Sequence, residues 1–209
     1  GGCYTGIHKK APPALKAFAG DGKRAGSDMD NVVLIGMPGA GKSTVGVILA
    51  KRLGYEFVDS DLLIIREAGK TLPDILADVG VEGFLEIEGR GGERIRCKKT
   101  VIATGGSMVY CADAMENLRE GGVVVWLDTE PDELALRISK SADRGIAAEP
   151  GATVADIFAQ RRPLYEKYAD IHIECAKGTD RVVSQIRAAL EKRRANGITP
   201  ARSAGFIEK

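Results

Sequence analysis

Apolar, β-rich residues fall into five short runs along the chain, at 32–36, 56–58, 101–103, 123–127 and 170–174, with one or more helical patterns between successive runs. Strand and helix in alternation is the signature of parallel pairing, because a parallel partner is reached only through a long crossover that is usually helical. The pattern therefore predicts an α/β protein, a five-stranded parallel sheet with helices on both faces. Ligands of such sheets collect where strands end at their carboxyl termini, so the residues that follow each run are the candidates for chemistry.

The first run, Asn31-Val-Val-Leu-Ile35, leads into Gly36-Met-Pro-Gly-Ala-Gly41-Lys42-Ser43-Thr44, a phosphate-loop pattern in its proper context of strand before and helix after. Glycines let successive backbone N–H groups turn toward a polyphosphate, and the helix that follows points its positive end at the same anion. Gly39, Ala40, Gly41 and Thr44 are thus expected to lie on ATP. Lys42 supplies a mobile charge, and Ser43 offers a hydroxyl to a Mg²⁺ ion bridging the terminal phosphates. Thr44 is expected to begin a helix that carries Val45, Val47, Ile48, Leu49 and Leu53.

The second run ends in Asp59-Ser60-Asp61, two carboxylates one residue apart at a strand end. One can serve near a metal and the other toward a second substrate, or one can simply cap the next helix. The third run ends in Thr104-Gly105-Gly106-Ser107, a turn where backbone can approach a ligand closely. Arg137, Arg144 and Arg161 are candidate grips for phosphate or an acidic metabolite, with a polar segment around Arg144 suited to a mobile cover. Asp128 closes the fourth run, but Thr129, Pro131 and Glu133 open a helix there, so capping explains it at least as well as metal binding. His172 alternates in Ile171-His-Ile-Glu174 as an outward strand residue, and neither it nor His8 is assigned to catalysis.

Composition narrows the class without changing it. A chain of 209 residues with 44% hydrophobic and 28% charged residues can bury one full core, and a net charge of +1 gives no basic field for nucleic acid. Cys3, Cys97, Cys111 and Cys175 lack paired C-x-x-C spacing, which suits reduced thiols in the cytoplasm. No apolar run approaches bilayer length, so membrane partners are not expected. Residues 1–28 read as a disordered arm or an upstream extension, with Met29 a candidate natural start, and 196–209 as a flexible tail around a nucleotide-binding domain at 29–195.

Taken together, and in order, these motifs resemble the shikimate kinase family of small P-loop kinases from about Asp30 to Leu190. The resemblance rests on the phosphate loop, Asp59-Ser-Asp61, Glu82-Gly-Phe84 with Glu88, Ala103-Thr-Gly-Gly106, Arg144 and Arg161-Arg-Pro-Leu-Tyr165. It implies a three-layer P-loop kinase fold with a substrate-binding region at about 60–97 and a lid at about 140–152. It implies that Lys42 and the loop hold the ATP phosphates, that Ser43 and Asp59 serve Mg²⁺, and that Asp61 contacts the acceptor hydroxyl as orienter or base. It also places Arg144 on the transferring phosphate, Arg137 by the adenine, and Glu88, Gly105, Gly106 and Arg161 around the acceptor. The implied reaction is ATP-dependent conversion of shikimate to shikimate 3-phosphate by a monomer or weak dimer.

The chain departs from the family pattern at three places. Leu85 follows Phe84 where the family carries an arginine that grips the acid's carboxylate, Ser107 stands where a third glycine is expected, and Gly145-Ile146 replaces the lid's Pro-Leu. Arg66, Arg90, Arg94 and Arg96 are candidates to restore the lost grip. Another small hydroxy acid such as homoserine is the alternative acceptor. A nucleotide-binding regulatory protein without catalysis is the alternative of another class, against which the joint presence of Lys42, Ser43, Asp59, Asp61 and Arg144 argues.

Overall fold

The computed structural model of the chain describes residues 31–140, 146–148, 151–175 and 178–197. The expected arm at 1–28, residues 141–145 (with Arg144) and 149–150 of the expected lid, and most of the expected tail lie outside these residues. Five strands form one sheet: β1 (Asn31–Ile35), β2 (Glu56–Asp59), β3 (Thr100–Ala103), β4 (Gly122–Asp128) and β5 (Ile171–Glu174). They lie in the order β2-β3-β1-β4-β5, and every pair is parallel, as the alternating pattern requires. The first strand sits in the middle, with β3 on one side and β4 on the other. The crevice at its carboxyl end is therefore where a ligand has room.

Central and edge strands differ as their sequences do. Every residue of β1 and β3 is buried, which covers both faces, whereas the edge strands β2 and β5 are only partly covered. Among the described residues the helices are α1 (Lys42–Leu53), α2 (Ser60–Ala68), α3 (Leu72–Arg94), α4 (Ala112–Gly121), α5 (Pro131–Ser139), α6 (Val154–Tyr168) and α7 (Thr179–Ala195). Helix α1 packs on β1, β2 and β3 and against α7, while α4 packs on β1 and β4 and against α3. None of these helices is long and apolar enough to cross a membrane.

Local chemistry sets the element boundaries that matter for the site. Helix α1 begins at Lys42, two residues earlier than expected, because Gly41 itself takes the left-handed turn (φ 89°) that redirects the chain into the helix. Helix α3 is bent at Gly80, whose φ of 69° and ψ of −178° are not helical, so the half that carries Phe84 and Glu88 runs in a different direction from the first. Thr153 and Asp156 form a reciprocal capping box at the start of α6. A single 3-10 turn, Met108–Tyr110, follows β3. Cys97, Cys111 and Cys175 are free thiols, as the spacing predicts.

Candidate active site

The phosphate loop curls over the carboxyl end of β1. The Lys42 Nζ donates to the carbonyls of Gly36 (2.8 Å) and Met37 (2.9 Å), which folds this buried cation back along the loop that it serves. Gly36 passes so close to β4 that a Cβ there would meet the Leu127 carbonyl oxygen at 2.6 Å, a contact that no side-chain-bearing residue tolerates. Beside the loop lies a cleft of about 320 Å³ lined by Gly39, Ala40, Gly41, Thr44, Arg137 and Cys175 among others. The Arg137 guanidinium is held at its edge by the Gly39 carbonyl (3.0 Å) and by Glu133 (2.6 Å).

Asp59 does both jobs that its sequence position leaves open. Its Oδ1 accepts from the backbone N–H groups of Asp61 (3.0 Å) and Leu62 (3.4 Å), capping α2, and its Oδ2 accepts from the Ser43 hydroxyl at 2.6 Å. The cap thus aims the second oxygen at the phosphate loop. Asp61, inside the first turn of α2, faces the β3 turn instead. A Cβ on Gly105 would lie 2.7 Å from Asp61 Oδ1 and would collide outright with Glu88 Oε1, so both carboxylates converge on this glycine. Ser60 between the aspartates is buried, and its hydroxyl accepts from Gly105 N–H at 2.9 Å, fixing the turn to α2.

Glu88 comes from the second half of α3 and is 2% exposed. Its Oε2 accepts a short hydrogen bond from Ser107. Burial pushes the carboxyl up to about 7; the Ser107 hydrogen bond and the charges of Arg161 and Lys42 hold it down, while Asp61 adds to the rise. Arg161 projects from α6 and is 1% exposed, so it is no surface charge, unlike its neighbour Arg162, which pairs with Glu166 at the surface. The Arg161 Nη2 donates to the Ala147 carbonyl at 2.6 Å, and its guanidinium lies 5.5 Å from the centre of the Tyr110 ring. Its Nε and Nη1 have no hydrogen-bond partner among the described residues, an unusual state for a buried cation and one that suits an anionic ligand.

The two halves of the site share a wall. A Cβ on Gly106 would meet the ring of Pro38 in the phosphate loop at 2.6 Å and Arg161 Nη1 at 3.1 Å, so loop, β3 turn and α6 meet at that residue. Tyr165, one helical turn beyond Arg161, donates its hydroxyl to the Gly106 carbonyl at 2.7 Å. Sequence alone gives no sign of this tether or of the contacts of Pro38, Ser60 and Tyr110; the i,i+4 spacing of Arg161 and Tyr165 places only those two on one helix face.

Other expectations change at β4 and β5. Asp128 neither caps α5 nor approaches a metal cluster among the described residues: its Oδ2 lies 2.9 Å from His172 Nε2. His172 is therefore not merely an outward strand residue, since its ring also stacks on Trp126 with centroids 4.4 Å apart. The pairing follows from register, which sets Asp128 against Glu174 and Trp126 against His172 on adjacent strands.

The shikimate kinase family model matches residues 38–191, the span that contains the loop from Pro38 onward, Asp59, Asp61, Glu88 and Arg161. The chain belongs to the shikimate kinase family. It is 38% identical over 180 residues to the shikimate kinase of Symbiobacterium thermophilum, a match that covers 80% of this chain and 99% of that one. The structure of the Acinetobacter baumannii shikimate kinase in complex with shikimate is similar with a TM-score of 0.73 and 33% identity, covering 88% of this chain and 99% of that one. The Aquifex aeolicus shikimate kinase follows at a TM-score of 0.68 and 29% identity, covering 80% and 99%.

Against the shikimate kinase pattern, Leu85 is the most consequential departure. It packs on the apolar cluster of Ile64, Ile75, Phe84 and Ala147, so no cation replaces the family arginine at that position. Of the four arginines that could restore the grip, Arg90 pairs with Glu86, Arg94 with Glu67, and Arg96 binds backbone carbonyls of its own helix end, while Arg66 is exposed in the last turn of α2. Arg161 is the buried arginine that keeps N–H groups for a carboxylate.

Proposed function

We propose that the chain transfers the γ-phosphoryl group of ATP to the 3-hydroxyl of shikimate. The observation that carries this reading is the convergence of Asp61, Glu88 and Arg161 on the Gly105-Gly106 turn, in contact through Pro38 with the phosphate loop. A pocket with one buried cation and two carboxylates suits a ligand that is both an acid and a polyol, and the loop beside it suits a nucleotide triphosphate. Membership of the shikimate kinase family supports the same acceptor over homoserine.

In this reading ATP lies along α1 with its phosphates on Gly39, Ala40, Gly41, Lys42, Ser43 and Thr44, and its base in the cleft beside Arg137. The acceptor carboxylate takes the N–H groups of Arg161, and Glu88 with the Gly105-Gly106 backbone orients its ring hydroxyls. Asp61 accepts the hydrogen bond, and then the proton, of the attacking hydroxyl while the new O–P bond forms and the bond from the γ-phosphorus to the β,γ-bridging oxygen of ATP breaks. Catalysis is mostly positioning and charge neutralisation, because the transferring phosphoryl group needs little covalent help. Closure by the lid residue Arg144 rests on the sequence resemblance.

The donor set beside the loop also fits Mg²⁺. Ser43 Oγ and Asp59 Oδ2 are hard oxygen donors 2.6 Å apart, the ligand type that Mg²⁺ takes when substrate phosphates complete its shell. When bound, Mg²⁺ neutralises charge between the terminal phosphates.

An ADP-release assay with shikimate, homoserine and no acceptor tests the proposal. Shikimate-dependent turnover that Lys42→Ala abolishes, with the variant still folded by circular dichroism, is the expected outcome. Turnover with homoserine alone would reassign the acceptor, and ATP consumption indifferent to any acceptor would remove the metabolite-kinase reading.

A further inference from the structure

We propose that Ser107 is a positioning residue for the acceptor: its hydroxyl pins Glu88 Oε2, which turns Oε1 toward Gly105 and Asp61, where the reacting end of the substrate lies. The proposal deepens the shikimate kinase reading and rests on it for the identity of the acceptor. Its geometry does not. Ser107 and Glu88, 19 residues apart in sequence, are both buried, and their hydrogen bond joins the β3 turn to α3. Each carboxylate oxygen is accounted for separately, Oε2 by the Ser107 hydroxyl and Oε1 by its close approach to Gly105.

The bond is an addition to the family pattern, which carries glycine at this position. Ser107 has φ −98° and ψ −1°, a conformation open to any residue, so a side chain enters the turn without backbone strain. What the hydroxyl adds is orientation and charge. A glutamate that reaches across from a helix has several rotamers, and a fixed donor selects the one that faces the ligand. A donor on a carboxylate also favours its ionised form. The other groups that act on Glu88 are Asp61 from α2, Lys42 from α1, and Arg161 and Tyr165 from α6, and none of them takes over the contact that Ser107 makes.

The consequence is a pH limb that Ser107 controls. An ionised Glu88 offers a charged acceptor at Oε1, whereas a protonated one accepts more weakly and can present its own O–H there, so kcat/KM for shikimate is expected to rise with pH through the Glu88 titration. Ser107→Ala and Ser107→Gly delete the donor while leaving the turn's conformation accessible. Both are expected to move that limb upward by about one to two pH units, the equivalent of one hydrogen bond to a charged group, and to raise the KM for shikimate about tenfold at pH 7. The KM for ATP should stay within twofold, and Glu88→Gln should abolish the limb.

A limb and a shikimate KM unmoved in both variants would overturn the proposal. If the wild-type protein does not phosphorylate shikimate, the functional reading falls separately. The side-chain carboxyl titration of ¹³C-labelled Glu88, assigned with Glu88→Gln, then decides: an upward shift in Ser107→Ala upholds the pinning, and an unchanged titration sinks it.

Discussion

Asp59 holds Ser43 and the start of α2 at the same time, one carboxylate oxygen for each, with 2.6 Å between Ser43 Oγ and Asp59 Oδ2. The helix cap is what orients the oxygen that meets the phosphate loop, so stability and chemistry are joined at one side chain and can be separated by the choice of replacement. Asp59→Asn keeps a carbonyl oxygen for the cap and loses the charge; it should retain wild-type thermal stability within about 0.5 kcal/mol and lose turnover about 100-fold or more. Asp59→Ala should lose the same turnover and about 1 kcal/mol of stability as well. Chemical denaturation and a coupled kinase assay on the two variants check both halves.

Glu88 makes folding stability depend on pH in a stated direction. Its carboxyl titrates at about 7 in the folded protein against an ordinary value of 4.5, so the folded state binds more protons than the unfolded state between these limits. Its contribution is fully present below about pH 4.5 and declines as pH rises through about 7. The full decline is on the order of 3 kcal/mol. Glu88→Gln should therefore gain stability relative to wild type as pH rises from 5 to 8. Urea midpoints at several pH values measure it; parallel curves for the two proteins would contradict the burial argument.

Arg161 is the sole buried guanidinium that keeps N–H groups without partners in the described site, and it also carries the Ala147 carbonyl. Arg161→Lys retains the charge but not the planar fork, so the KM for shikimate should rise about ten- to a hundredfold while the KM for ATP changes little. Arg161→Ala should also unfold at lower denaturant, because it leaves a cavity between α6 and the β3 turn. Steady-state kinetics with each substrate varied in turn distinguishes the two effects.

Leu85 tests how the chain manages with one acceptor arginine. It packs on the small apolar cluster that contains Phe84 and Ala147, the residue whose carbonyl Arg161 holds. Leu85→Arg should lower the KM for shikimate about tenfold, in line with one added hydrogen bond to a carboxylate. Leu85→Ala should instead cost about 1–2 kcal/mol of stability and leave the KM near wild type. A shikimate KM unchanged in the arginine variant would mean that position 85 does not face the acceptor.

Most of the fold was legible because its causes are local. Continuous apolar runs at Val32–Ile35 and Val123–Leu127 announced buried strands, and glycines before Lys42 announced a phosphate loop, since backbone conformation depends on neighbouring residues. The candidate site was legible only as scattered parts. Asp59 could be named as cap or functional group but not as both; Arg161 could be named as a grip for an acidic group but not as a buried one; His172 read as an outward strand residue. Each reading failed or stayed open where the answer lay with a residue far away in sequence: Ser43 for Asp59, Ala147 for Arg161, Asp128 for His172.

The sequence by itself determined the parallel α/β architecture, the nucleotide loop and the family, because periodicity, turn chemistry and ordered motifs are written in consecutive residues. Tertiary structure alone decided which strand end faces which: that Gly105 receives both Asp61 and Glu88, that Ser107 reaches Glu88, and that Arg161 is buried with N–H groups to spare. The physical reason is that orientation and desolvation belong to the packed assembly. A carboxylate titrates at about 7 only when the sheet, α3 and α6 together have taken the water away from it.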